Sequence, residues 1–455
     1  MMISRDSDIV HAGFARADIT PSPDCILDGF AGRDHGCEGI HDNLTVTVLA
    51  LAQGEDITII AGMDLLELID SQVDEIWRRL QNRFGIERHR VFLNCSHTHA
   101  GPMMRTRNNR KFCQGSDCHP DAEYVETVIS RTVNAAAHAI DRLEPARLSY
   151  GLGETHIGIN RRARDTSIYK NRPAGYTGFF ANFPNPDKPV DRTCFVLIVS
   201  RPDGSPLGVV FTASCHPTTM SYDNYLVSAE YPGVARRYLE ESMDGALTLF
   251  LQGIGGDVKP IQVAEKDSFR SGDYTDVEAV GKELAGDVER ILKTAMNPLD
   301  VSIASAVSRI DLPFNEEWNV STFDRYDSDG EPDYRRNWAR RWKERLANGE
   351  TTPQSLPLTL GLLELGNGIR LPMIAGEVLT DIGLKIKDSV DIGVTVPLGY
   401  TNGRVGYIPD SPVLREGGYE GVETVFFTES MPAPWREDIN DTLLDAFAHL
   451  AKNLT

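Results

Sequence analysis

The pattern that most constrains this chain is a repeated one: an apolar, β-branched run that ends on a histidine, an acid or a glycine loop. "VFLNC" (91–95) runs into "SHTHAGP", "LGVVFTASCHP" (207–217) ends on His216, "ALTLFLQGIGGD" (246–257) ends on Asp257, and "LPMIAGE" (371–377) ends on Glu377. Runs of this length and composition read as buried strands. Between them lie segments of helical period. "DSQVDEIWRRLQNRFG" (70–85) puts Val73, Ile76, Trp77, Leu80 and Phe84 on one face, with Ser71 and Asp74 as a capping pair and Gly85 as the stop. "DAEYVETVISRTVNAAAHAIDRL", "DVEAVGKELAGDVERILKTA" and "INDTLLDAFAHLAKNL" read the same way. Interspersed strands and helices predict an α/β protein of mixed sheets flanked by helices, and polar residues at strand ends predict that its site lies where the loops converge.

The chain has 455 residues, enough for one large enzyme domain or two to three smaller ones. We read it as one domain, 1–455, containing a polar helical insertion at 315–356 in which Trp338 and Trp342, at i and i+4, are expected to pack inward. "LLELGNGIRLPMIAGE" reads as a hairpin about Gly366-Asn367-Gly368. Net charge is −20, which repels nucleic acid and anionic membrane surfaces. No apolar stretch is long enough to span a membrane, and the N-terminal residues lack the pattern of a secretory leader. Seven scattered cysteines do not form a disulfide framework and suit a reducing cytoplasm. "CQGSDCHP" (Cys113, Cys118, His119) is spaced wrongly for common zinc patterns and reads as a polar loop.

Alternation along an extended segment would point His97 and His99 the same way, with Thr98 opposite. Two imidazoles side by side are candidate ligands for a divalent metal, zinc by default, or simply a hydrogen-bonded pair. His216, Glu377, Asp257 and Lys259 also follow strand-like runs and add groups fit for metal binding or proton transfer.

These motifs carry a resemblance. "SHTHAGP" resembles the HTHSGP motif of neutral ceramidases, zinc-dependent amide hydrolases. "GINRR" (158–162), "SCHPTTM", "LQGIGGDVKP", "AGEVLTDIG" and "TNGRVGYIPDSPVLREGGYEG" resemble the family's other landmarks in order, from about residue 12 to 425. The resemblance implies a ceramidase-like catalytic domain without the C-terminal immunoglobulin-like domain of larger members. It implies Zn²⁺ held by His97, His216, Glu377 and Tyr407, with His99, Arg161 and Tyr419 handling protons and substrate. Gly255, Gly256 and Asp257 are expected beside the substrate.

The chain departs from the family at Lys259, where ceramidases carry an active-site serine. The expected activity is therefore zinc-dependent hydrolysis of an N-acyl bond in a small molecule other than ceramide. The alternative is a metal-dependent lyase that uses Lys259 as the base on a uronic-acid-type carbohydrate.

Overall fold

The computed structural model describes residues 10–107, 117–164, 180–389 and 393–454. Its centre is a pair of five-stranded sheets. One runs in the order Val91–Cys95, Asp56–Met63, Thr45–Gln53, Val10–Asp18, Glu144–Pro145, and the other Leu247–Gln252, Pro206–Ala213, Thr193–Ser200, Arg147–Glu154, Asn297–Pro298. Both are mixed. Asp56–Met63 pairs in parallel with Val91–Cys95, and Pro206–Ala213 with Leu247–Gln252, while the other pairings are antiparallel.

The two-residue period of the strands builds the layers. From Thr45–Gln53, Leu49 and Leu51 join Phe92, Phe195, Leu197, Val210 and Leu249 in a core between the sheets. Val46, Val48 and Ala50 point the other way, onto helices Asp70–Phe84 and Ala122–Asp141. On the second sheet, Val196, Val209 and Phe211 likewise meet helices Glu230–Ser242 and Tyr274–Leu292. The result is helix, sheet, sheet, helix, with the central strands buried on both faces, which is why their runs are continuously apolar.

A third sheet (Ala304–Pro313, Ser355–Glu364, Ile369–Ile374, Val394–Thr395) packs against helices Thr380–Ser389 and Ile439–Lys452. Helices Val320–Tyr326 and Asp333–Ala347 join the same core through Phe323, Trp338 and Trp342, so the polar segment is anchored by its aromatics. Gly366, Asn367 and Gly368 all have positive φ and turn the expected hairpin.

Three local readings change. At the start of helix Asp70–Phe84 the Gln72 side chain accepts from the Ile69 N–H at 3.0 Å, in place of a Ser71–Asp74 pair, although Gly85 does end the helix in the left-handed conformation. The runs leading to His97 and His216 stop being strand at Cys95 and Ala213. Cys118 is disulfide-bonded, so it offers no thiolate to a metal; His119 hydrogen-bonds Thr106, and Cys113 lies outside the described residues.

Asn94 and Asn402 tie the third region to the first sheet. Asn94 accepts from the Gln252 N–H at 2.7 Å and donates to the Gly399 carbonyl at 2.9 Å. Asn402 accepts from Leu93 N–H and donates to the Val91 carbonyl, both at 2.8 Å, and so closes the open edge of Val91–Cys95. Phe92, whose ring lies between the sheets, is the sharpest test of this layering. Phe92→Ala is expected to cost about 3–5 kcal/mol in denaturant unfolding, against less than about 1 kcal/mol for the exposed Leu152→Ala.

Candidate metal centre

Beyond Cys95 the chain leaves the sheet and His97 takes a left-handed φ of 67°. A non-glycine residue there is strained unless its surroundings hold it. Its N–H is held by the Leu65 carbonyl at 2.9 Å, and its Nδ1 donates to the Leu66 carbonyl at 2.8 Å. A carbonyl only accepts, so Nδ1 carries the proton and Nε2 presents its lone pair. His216 repeats the device. Its N–H donates to Val258 and its Nδ1 to the Gly255 carbonyl at 2.5 Å, again leaving Nε2 as a base. The two Nε2 atoms converge on Glu377 Oε2 at 3.1 and 3.2 Å.

His99 lies beside them. Its ring centroid is 4.9 Å from that of His97, and a ligand atom from each of His97, His99 and His216 falls within 4.8 Å of the others. Both His99 ring nitrogens are buried and lack a hydrogen-bond partner among the described residues. Burial, with His97 and His216 nearby, holds its pKa well below the ordinary imidazole value. The same effect, reinforced by Arg161, pushes His216 down to about 4. His97 and His99 are thus neighbours as expected, but through a left-handed residue and a turn rather than strand alternation.

Glu377 comes from the short parallel pairing of Glu377–Val378 with Tyr407–Ile408, which sets the carboxylate and the Tyr407 phenol side by side. Burial alone would keep Glu377 protonated; the Arg404 guanidinium outweighs it, and its pKa lies well below the usual range. Arg161 Nη2 donates to the Tyr407 phenol at 2.9 Å, and its Nε to Glu420 at 3.0 Å. Tyr419 packs edge-on to Tyr407, with ring centroids 5.7 Å apart, and reaches the surface.

A cavity of ≈ 250 Å³ opens onto this cluster, lined by His97, His99, Glu377, Tyr407 and Tyr419 among others. Two lone-pair-presenting imidazoles, a carboxylate and a neighbouring phenol form a donor set suited to a divalent ion, and the unpartnered buried nitrogens of His99 extend it.

Four expected residues fall elsewhere. Lys259 does not line the cavity. It is buried with its ammonium 4.9 Å from the Phe269 ring centroid, and burial together with Arg161 lowers its pKa to about 8. Gly255, Gly256 and Asp257 are used within the protein. The Gly255 carbonyl orients His216. A Cβ on Gly256 would sit 2.8 Å from the carbonyls of Glu377 and Val378. The Asp257 carboxylate accepts from Thr380 and Asn160. These glycines permit close approach of backbone to backbone.

Sequence reasoning missed the support behind Glu377. Arg404 binds Glu377 and, through Nη1 at 2.8 Å, Glu67; Glu67 also accepts from Arg105 at 2.7 Å and from Arg107, which pairs with Asp28. The period-two "RTR" of Arg105 and Arg107, directly after the histidine motif, was the one available signal. Gly29 was missed too. Its φ is 92°, and a Cβ there would meet the His99 ring at 2.5 Å.

This fold and site define a mixed α/β protein whose buried histidine–carboxylate centre can hold a metal ion. Residues 11–288 match the family described as neutral/alkaline non-lysosomal ceramidase, N-terminal, and the chain belongs to that family. Neutral ceramidase of Mycobacterium tuberculosis is 25% identical over 269 residues, covering 55% of this chain and 40% of that protein. The Pseudomonas aeruginosa neutral ceramidase is 24% identical over 269 residues, covering 57% and 38%. The chain thus matches about two-fifths of these relatives' own length. The crystal structure of the Pseudomonas aeruginosa enzyme superposes with a TM-score of 0.72 over 97% of this chain and 74% of that one, at 18% identity, a likeness of fold.

Burial raises the pKa of Glu67, but Arg105, Arg107 and Arg404 together outweigh it and bring the value to about 2, below the ordinary 4.5. The unfolded chain therefore takes up the proton first. Stability from Glu67 is complete above about pH 4.5 and is lost as pH falls toward 2. Glu67→Gln is expected to flatten that acid limb in pH-dependent denaturation. At pH 7 it should cost about 3–5 kcal/mol, because it strands buried guanidinium groups.

Proposed function

We propose that this protein is a zinc-dependent hydrolase of amide (N-acyl) bonds whose natural substrate is not ceramide itself. The observation that carries this reading is the convergence of His97 and His216 Nε2 on Glu377 Oε2, at the end of a cavity, in a member of the ceramidase family. His97, His216, Glu377 and Tyr407 would hold the ion. When bound, zinc supplies Lewis acidity, activating water near neutral pH and polarising the scissile carbonyl.

The rest is done by the chain. His99, kept neutral by burial, takes on a ring nitrogen the proton given up by the attacking water and delivers it to the leaving amine. Arg161 fixes the Tyr407 phenol at 2.9 Å and is itself held by Glu420. Arg404 keeps Glu377 ionised and oriented. Tyr419, at the surface end of the cavity, borders the route by which a substrate enters. Lys259 at the family's serine position is what places the substrate outside ceramide. Outside the cavity lining, it acts through its charge and its packing on Phe269 rather than as a base.

Elemental analysis of the purified protein is expected to find about one zinc per chain, lost in His97→Ala and His216→Ala. Hydrolysis across a panel of N-acyl and O-acyl substrates should vanish with chelation and return with zinc. Turnover that survives both chelation and His97→Ala would sink the proposal. Lys259→Ser is expected to raise ceramide turnover relative to the other N-acyl substrates; an equal response on every substrate removes Lys259 from specificity.

A further inference from the structure

Three arginines line the cavity in front of the histidine–glutamate cluster: Arg105, Arg107 and Arg404. Two are consumed by the protein. Arg404 spends Nε and Nη2 on Glu377 and Nη1 on Glu67. Arg107 spends Nε and Nη2 on Asp28 and Glu67. Arg105 is different. It gives Glu67 only its Nε–H, at 2.7 Å, and among the described residues its two terminal nitrogens make no hydrogen bond. Glu429, a second acid that feels its charge, makes no hydrogen bond to it among the described residues.

Resting on the hydrolase reading above, we infer that Arg105 is the docking cation for an oxyanion on the substrate, and that the substrates are N-acyl amines bearing a carboxylate close to the scissile bond, N-acyl amino acids being the simplest. A guanidinium with free terminal N–H groups matches a carboxylate bidentately. Glu67 fixes the other edge of the group, so the fork is already aimed and little side-chain freedom remains to be lost on binding.

The surroundings favour an incoming anion. Burial and the neighbouring charges of Arg107 and Arg404 lower the Arg105 pKa to about 10 despite Glu67. A carboxylate entering there relieves that repulsion. Size argues for a compact molecule. Arg105 and the histidine–glutamate cluster share one cavity of ≈ 250 Å³, so the anion and the reacting amide must be only a few bonds apart. Tyr419 and Phe427, on the same cavity and partly exposed, leave an aromatic rim for the acyl group. The protein as a whole carries −20, so the cationic lining is a local property of the cavity and not of the surface.

The test uses the full chain loaded with zinc and a matched pair of substrates, an N-hexanoyl amino acid and its neutral carboxamide. Wild type is expected to favour the acid by about 10- to 100-fold in kcat/KM, mainly through KM. In Arg105→Gln that ratio should collapse to near one, and Arg105→Lys should restore part of it. A variant that slows both substrates equally, leaving the ratio intact, shows a merely structural arginine and overturns the proposal. So does a wild type that prefers the carboxamide. Stronger turnover of N-hexanoyl-2-aminoethyl phosphate overturns the assignment of carboxylate.

Calorimetric binding of the N-hexanoyl amino acid to wild type and Arg105→Gln separates the two readings. If nothing is hydrolysed but binding weakens at least 10-fold in the variant, the hydrolase reading fails and the anion site stands. Equal binding refutes the anion site whether or not hydrolysis occurs. Melting temperatures within about 3 °C of wild type certify that the variant is folded.

Discussion

The arrangement depends on keeping the buried Glu377 ionised. A lone buried carboxylate would take a proton. Here Arg404 binds its Oε1 while the Nε2 atoms of His97 and His216 approach its Oε2. Arg404 is a buried charge in its turn, and Glu67 answers it; Arg105 and Arg107 answer Glu67, and Asp28 answers Arg107. The network ends at the cavity wall, so the charges that hold the centre together also set the electrostatics a substrate meets. Removing one member leaves its partner uncompensated, and the network behaves as a unit.

The double layer of sheets explains how distant residues can be held this accurately. His97 and His216 follow strands of different sheets, and the interdigitated core between those sheets fixes their relative positions. Glu377 and Tyr407 arrive from the third region, which is stitched to the first sheet through Asn94 and Asn402. The imidazoles of His97 and His216 are each locked by a backbone carbonyl on Nδ1, so neither their tautomer nor their ring orientation is left to chance. The left-handed backbone at His97 is tolerated because its N–H and its ring are both anchored.

Much of this was legible in the residues. Apolar runs with helical segments between them gave the mixed α/β class, and the histidines at 97, 99 and 216 and Glu377 stood out because each follows such a run. Other parts misled for identifiable reasons. Alternation was applied to 96–99, but the strand stops at Cys95. The Gly255-Gly256-Asp257 loop looked like a substrate cradle, since glycine signals close approach without saying what approaches. Lys259 drew attention by its chemistry, yet its strand Val258–Pro260 pairs with Gly158–Arg164 and sends the side chain against Phe269. Arg404 and Glu67, 337 positions apart, carried no local signature.

The sequence by itself determined the layer class, the apolar periodicities and the inventory of groups able to bind a metal, because these depend on local pattern and residue chemistry. It also contained the motifs that place the chain in its family. Only the tertiary structure decided which of those groups meet, which imidazole nitrogen is left free, and which of the cavity's arginines is left with an open fork. Those outcomes depend on contacts between residues tens to hundreds of positions apart, and each is fixed by what a neighbour from another element already hydrogen-bonds.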